Sequence, residues 1–265
     1  MAYGGVERPR AAFFIRYSLF AIRYSPSSVS EMNADRRIAL VTGASRGIGR
    51  EAAKALAAAG AHVICVARTV GALEELDDEI RAAGGSATLV PLDLRDFPAL
   101  DRLGATIFER WGRLDAFLGN AGSLGVITPL SHLDPKSFQE LIEVNVTANW
   151  RLVRSLDPLL RTSDAGRVLF VSSGAARKHI PFWGGYAMAK AALESLALTY
   201  AAECASTAVK VNILSPGPLR TRMRAKAFPG EDPDTLAPPE AVAPLIVELL
   251  SPACTKNGEL VSFQK

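Results

Sequence analysis

The chain has 265 residues, 49% of them apolar and 22% charged, so the length suits one α/β domain or two small ones and a large core is within reach. The formal charge is only +3. Its excess gathers near the start, where Arg8, Arg10, Arg16, Arg23, Arg36 and Arg37 face Glu7, Glu31 and Asp35, so a basic nucleic-acid surface is not indicated.

Cys65, Cys204 and Cys254 stand far apart and form no C-x-x-C pair, which argues against a disulfide scaffold or a zinc site and fits a reducing, cytoplasmic compartment. No apolar run reaches the length of a membrane-spanning helix, so no membrane partner is expected. Residues 1–31 read differently from the rest: the tetrad Ile-Arg-Tyr-Ser occurs at 15–18 and again at 22–25, followed by a loop-like Pro26-Ser27-Ser28-Val29-Ser30. Arg16 and Arg23 interrupt what would be a secretory h-region. A mitochondrial-type presequence fits the Arg-rich, acid-poor composition. The leading expectation is an extension outside the domain, with the domain itself running over 32–265.

From Arg36 onward the pattern alternates. A buried strand at 38–42 runs into a glycine-rich turn and a helix over 49–59 that Gly60 ends. A strand at 62–67 precedes a helix over 71–83, where Leu73, Leu76 and Ile80 keep helical spacing until Gly84 and Gly85 stop it. Then come a strand at 87–92, a helix near 97–111, a strand at 114–118, a long helix near 135–160 and a strand at 168–172. A helix near 186–204, a strand at 209–214, a helix near 239–250 and a short strand around 260–263 complete the chain. Strands alternating with helices predict an α/β single domain, a doubly wound parallel sheet of the Rossmann type, with no second domain and no repeat.

The first strand ends in Thr42-Gly43-Ala44-Ser45-Arg46-Gly47-Ile48-Gly49. Glycines between a strand and a helix let the turn close and the backbone approach a pyrophosphate, while the helix N-terminus offers N–H groups to it. An ordinary tight turn is the bland alternative. Asp93, with Leu94 beside it, follows the third strand; its carboxylate could accept from the adenine amine, or cap the next helix, a task Asp96 could take instead. Gly119-Asn120-Ala121-Gly122 ends the fourth strand with small residues that suit close approach to a ligand.

Tyr186 and Lys190 are four apart at the start of a predicted helix and share one face. A nearby ammonium favours the phenolate and lowers the phenol pKa, which a lone tyrosine needs for acid–base work; a surface pair is the alternative. Ser173 ends the fifth strand, thirteen residues before Tyr186, and its hydroxyl can bond the same carbonyl oxygen. Asn145 sits in mid-helix, an unfavourable place unless it is satisfied in the core or holds a water.

These residues together resemble the short-chain dehydrogenase/reductase family in its compact single-domain subtype. The match runs through Thr42-Gly43-x-x-x-Gly47-x-Gly49, Asp93, Asn120-Ala121-Gly122, Asn145, Ser173, Tyr186-x-x-x-Lys190 and Pro216-Gly217, in order and in spacing. The resemblance implies a hydride-transferring oxidoreductase with Tyr186 as general acid or base and Lys190 lowering its pKa and bonding the nicotinamide ribose. It implies that Ser173 polarises the substrate carbonyl and that Asn145 holds a water linking Lys190 to solvent. Pro216 and Gly217 would line the nicotinamide, and Thr221 would bond its carboxamide or the phosphates. It implies a homodimer or homotetramer through the Tyr186 helix and the helix that holds Asn145. Gly119 stands where the family often has asparagine, a departure expected to matter little. The ending Gly258-Glu259-Leu260-Val261-Ser262-Phe263 lacks the usual Asp-Gly-Gly, which weakens any inference about a subunit contact there.

A cofactor preference follows from what is missing. NAD-preferring sites place an acid at the end of the second strand. Here that position reads Ala67-Arg68-Thr69, so Arg68, Arg46 and the Thr69 hydroxyl are expected to hold a 2′-phosphate. NADP(H) is therefore expected over NAD(H), which remains admissible. The resemblance implies a small carbonyl or alcohol substrate, with Ile180, Trp183, Ser123, Leu124 and Met223 as candidate walls, and His179 is expected to be an exposed loop residue. A non-catalytic dinucleotide-binding protein is the alternative from another class. A sugar epimerase or dehydratase fits less well, because only about fifty residues follow Pro216.

Overall fold

The computed structural model describes residues 36–263; the expected extension over 1–31 lies outside them. Seven strands form a single sheet: β1 (Ile38–Thr42), β2 (His62–Ala67), β3 (Ser86–Pro91), β4 (Ala116–Gly119), β5 (Arg167–Val171), β6 (Lys210–Ser215) and β7 (Leu260–Ser262). Their order is β3-β2-β1-β4-β5-β6-β7, and every pairing is parallel. The strands are short and almost wholly apolar, as buried parallel strands must be when helices cover both faces. Alternate residues go to opposite layers. Ile38 and Leu40 pack with α3 (Phe97–Trp111), α5 (Ala148–Thr162) and α6 (Gly184–Glu203). Ala39 and Val41 pack with α1 (Gly47–Ala58), α2 (Val70–Ala82) and α8 (Ala243–Leu250).

The chain reverses direction across the sheet between β1 and β4, and this leaves a crevice beyond the carboxyl ends of the strands. Among the described residues no helix is long and apolar enough to cross a membrane.

Three differences from the sequence expectation bear on the site. The helix predicted near 135–160 is not one α-helix. It is α4 (Pro135–Ile142), a π-helical turn over Glu143–Thr147, and α5. The cause is Asn145. Its amide donates to the carbonyls of Leu141 and Ser123, both at 3.0 Å, and so competes with the α-helical ladder. The fourth strand begins at Ala116 rather than 114. Asp115 is taken up by the Ile38 N–H at 2.8 Å and the Ser163 hydroxyl at 2.6 Å. A short helix, α7 (Arg222–Ala227), lies where no element was expected, and the Thr221 hydroxyl caps it by accepting from the Arg224 N–H at 3.2 Å.

Candidate active site

The crevice is a cleft of about 1320 Å³, more than a drug-sized ligand needs. One wall is the turn between β1 and α1. Gly43 and Gly47 hold φ of +68° and +56°, backbone that a side chain would strain. Arg46 occupies the N-cap of α1 without a side-chain hydrogen bond, and no acid lies in the first turn. The helix therefore presents uncapped N–H groups to the cleft, the condition for holding an anion. Ser45, Arg46, Gly47 and Ile48 line the cleft. Gly49 does not. It is buried behind the turn, where a Cβ would strike the Asn120 amide and the Gly43 carbonyl.

Arg68 and Thr69, at the end of β2, line the adjoining stretch with Asp93 and Leu94. The Arg68 guanidinium is 66% exposed and stands 3.8 Å from the Asp93 carboxylate. Asp93 also accepts from the Arg95 N–H at 3.0 Å and pairs with its guanidinium at 3.1 Å. Those contacts outweigh partial burial and hold the Asp93 carboxyl below its ordinary value. Asp96, not Asp93, caps α3, accepting from Ala99 N–H at 3.1 Å.

Asn120, Ala121 and Gly122 line the floor. The Asn120 side chain is turned inward, donating to the Thr42 carbonyl at 2.9 Å. Thr42, which opens the glycine motif but was given no role of its own, holds this corner: its hydroxyl accepts from the Asn120 and Ala121 N–H groups, each at 3.1 Å. Gly119 matters more than expected. A Cβ there would lie 2.6 Å from the Phe170 ring and 2.9 Å from Asn149 Oδ1. An asparagine at that position would collide with two fully enclosed side chains.

Tyr186, Ser173 and Lys190 meet at the far end of the cleft, and all three line it. Tyr186 is 7% exposed and its hydroxyl points to Met223 Sδ at 3.9 Å. Burial raises the phenol above its ordinary value, and a hydrogen bond with Ser173 works against that. The Ser173 hydroxyl also accepts from Ala175 N–H at 3.2 Å. Lys190 is 3% exposed and donates to the Val171 carbonyl at 2.8 Å, with its ammonium 5.9 Å from the Tyr186 ring centre. Burial pushes Lys190 down to about 8, against the pull of Glu194 one turn further along α6. The expected lowering of the tyrosine by this ammonium is overridden in the present geometry, because burial dominates both groups and the ammonium is aimed at Val171. Glu194 was also missed in the sequence; it accepts from the Ser172 hydroxyl at 2.5 Å and from Arg177 at 2.6 Å.

Asn145 is fully buried behind the wall rather than in it. Its Oδ1 accepts from Ser123 N–H at 3.2 Å. A Cβ on Gly122 would lie 2.8 Å from that Oδ1 and 3.3 Å from Lys190 Nζ, so the missing side chain lets the two groups share one corner. Asn149, four residues on, donates to the Asn145 carbonyl at 2.9 Å. Pro216, Gly217 and Thr221 close the cleft from the β6 side, and the Thr221 methyl sits 3.6 Å from where a Gly47 Cβ would be.

The substrate-side walls are apolar. The Trp183 ring lies 6.0 Å from Tyr186 and 5.5 Å from Phe228, while Leu124 and Ala175 pack with Tyr186. His179 is exposed in the loop after β5.

A parallel sheet of this order, with an uncapped helix N-terminus and a positive-φ glycine turn at its switch point, defines a dinucleotide-binding α/β protein. Comparison with known proteins narrows the class. The family model described as short chain dehydrogenase matches residues 37–232. The uncharacterized oxidoreductase YciK of Escherichia coli K12 is 41% identical over 217 residues, 81% of this chain and 86% of that protein. A solved short chain dehydrogenase from Salmonella enterica serovar Typhi CT18 superposes with a TM-score of 0.83 at 39% identity, covering 87% of this chain and 96% of that one. An Escherichia coli CFT073 structure described as a short chain dehydrogenase complexed with NADPH gives 0.81 at 39% identity, over 86% and 97% of the two chains. The chain belongs to the short-chain dehydrogenase family of oxidoreductases.

Proposed function

We propose that the chain is an NADP(H)-preferring carbonyl reductase or alcohol dehydrogenase with Tyr186 as its general acid and base. The observation that carries this is the meeting of Tyr186, Ser173 and Lys190 at one end of a cleft whose other end is the glycine turn. A bound nicotinamide dinucleotide would supply or accept the hydride. Its phosphates fit the uncapped start of α1, and its ribose end fits Lys190.

In the reducing direction the Ser173 hydroxyl donates to the substrate carbonyl oxygen and polarises it. The Tyr186 hydroxyl transfers its proton to that oxygen as negative charge develops there. Burial holds the phenol protonated and ready as an acid. Lys190, buried and titrating at about 8, lies beside the ring and can carry positive charge when the phenolate forms. Asn145 and the Gly122 gap hold open a corner for a proton route from Lys190. Leu124 and Trp183 exclude water from the reacting carbonyl.

The NADP(H) preference rests on Arg46 and Arg68 on the cleft wall and on the absence of an acid at the end of β2. NADPH in the related Escherichia coli structure supports it.

The test is Tyr186→Phe, which removes only the transferable proton. NADPH affinity should stay within about twofold of wild type while turnover of the best carbonyl substrate falls by about 10²–10⁴-fold. Turnover equal to wild type would refute the role.

A further inference from the structure

We propose that the substrate is an anionic amphiphile: a carbonyl compound with an apolar body and a carboxylate or phosphate group, the anion held between Lys178 and Lys226. This rests on reading Tyr186 and Ser173 as the carbonyl end of the cleft.

The first observation is a charge imbalance with a definite location. The carboxylates that line the cleft are Asp93 and Glu140, and Arg95 faces both, at 3.1 and 3.9 Å. Three of the arginines that line that part of the cleft are already paired, Arg177 with Glu194, Arg220 with Asp234 and Arg224 with Glu231. Lys178 and Lys226 also line the cleft, and among the described residues neither has a carboxylate partner.

The second observation is where these two lysines stand. Lys178 folds back over the residue after Ser173, its Cε 4.0 Å from where a Gly174 Cβ would be. Lys226 comes from α7, a different element. It lies three residues after Met223 on α7 and so shares the face that meets the Tyr186 hydroxyl. Its Nζ rests on the Gly125 carbonyl at 3.3 Å, a long contact that an anion can replace. Two compact ammonium charges, one from the loop after Ser173 and one from α7, thus line the cleft that holds Tyr186, and ammonium binds carboxylate or phosphate as a point charge.

The third observation is the surface between and around them. Tyr186 packs against Trp183, Met223 and Leu124, a largely apolar surface. The surface just outside the cleft lining also carries exposed apolar side chains. Phe182 is 56% exposed and held at φ +72°, a strained conformation for an aromatic residue. The Thr128 N–H pins its carbonyl at 3.0 Å, which ties this surface to the segment carrying exposed Val126. A polyhydroxylated neutral substrate would leave these walls unmatched and both lysines unused. An apolar body ending in an anion matches both.

The experiment is isothermal titration of the full chain, with NADP+ present, using octanoate, octyl phosphate and neutral octanol. At least one anion should bind about tenfold or more tighter than octanol. The stronger of the two identifies the head group as carboxylate or phosphate. In Lys178→Gln/Lys226→Gln the preference should shrink to within about threefold, and in Lys178→Arg/Lys226→Arg it should persist. Melting curves check that each variant is folded. Equal affinity for anions and octanol would overturn the proposal. So would an undiminished preference in the folded glutamine variant, or anion binding that NADP+ abolishes, since the anion would then sit on the phosphate cradle. Binding is read without turnover, so a Tyr186→Phe enzyme of full activity would sink the proposed chemistry and leave these affinities standing.

Discussion

Replacing Lys190 with methionine should stabilise the fold at neutral pH while removing its chemistry. The ammonium titrates at about 8 in the folded chain, against 10.5 when solvated. At about 1.4 kcal/mol per pH unit, keeping it charged at pH 7 costs the fold roughly 3 kcal/mol. Methionine fills a similar volume but loses the bond to the Val171 carbonyl, which returns about 1 kcal/mol of that gain. The variant should therefore be more stable than wild type by about 2 kcal/mol at pH 7. The sign of the pH dependence follows from a base whose folded value is depressed. Between about 8 and 10.5 the unfolded chain binds the proton more tightly, so wild-type stability rises with pH there. Below that window both states are protonated and the penalty is complete. Tyr186, raised above its ordinary value, keeps its proton up to the top of the range used. Urea unfolding of both proteins at pH 7 and 9.5 should show the gap close by about 2 kcal/mol. A variant less stable than wild type at pH 7, or a gap that does not move with pH, would refute the reasoning.

Three further outcomes are expected. Arg46→Ala and Arg68→Ala should each weaken NADPH binding by about 1.5–3 kcal/mol and leave NADH binding nearly unchanged, measured by fluorescence titration; equal losses for both cofactors would remove the 2′-phosphate assignment. Gly119→Asn should lower the melting temperature by roughly 5–15 °C, from about 1–3 kcal/mol of overpacking against Phe170 plus the disturbed Asn149 bond. A melt within about 2 °C of wild type would mean Phe170 yields freely. Sedimentation at micromolar concentration should show a dimer or tetramer that Leu198→Asp disrupts, because Trp150 on α5 and Leu198 on α6 are 45% and 46% exposed. A wild-type monomer would count against assembly through these helices.

The sheet was legible because each buried strand is a short apolar run bounded by glycine or polar residues. The glycine turn and the Tyr186–Lys190 pair were legible because their spacing alone fixes which face they share. The π-turn was not. Glu143 to Thr147 carries no breaker, and only the polar Asn145 in an apolar stretch hinted at it. The roles of Thr42, Asn149 and Glu194 were hidden for a different reason. Each acts on a partner far along the chain or on a backbone group, and hydrophobic period says nothing about either. The aim of Lys190 was hidden too, since sequence spacing gives a face but not the direction of a long side chain.

The π-turn has a consequence for how this protein can change. A π-helical turn holds one residue more than an α-helical turn between the same two ends. Deleting a single residue from 143–147 would let α4 and α5 join as one ordinary helix with their flanking contacts in phase. Such a deletion leaves Leu141, Leu152 and Leu156 in the core and withdraws the Asn145 amide from Ser123. On the role proposed for Asn145, the architecture and the chemistry are thus separable by one codon. A lineage could lose the reaction and keep a folded nucleotide-binding protein in a single step, and return requires an insertion at the same place.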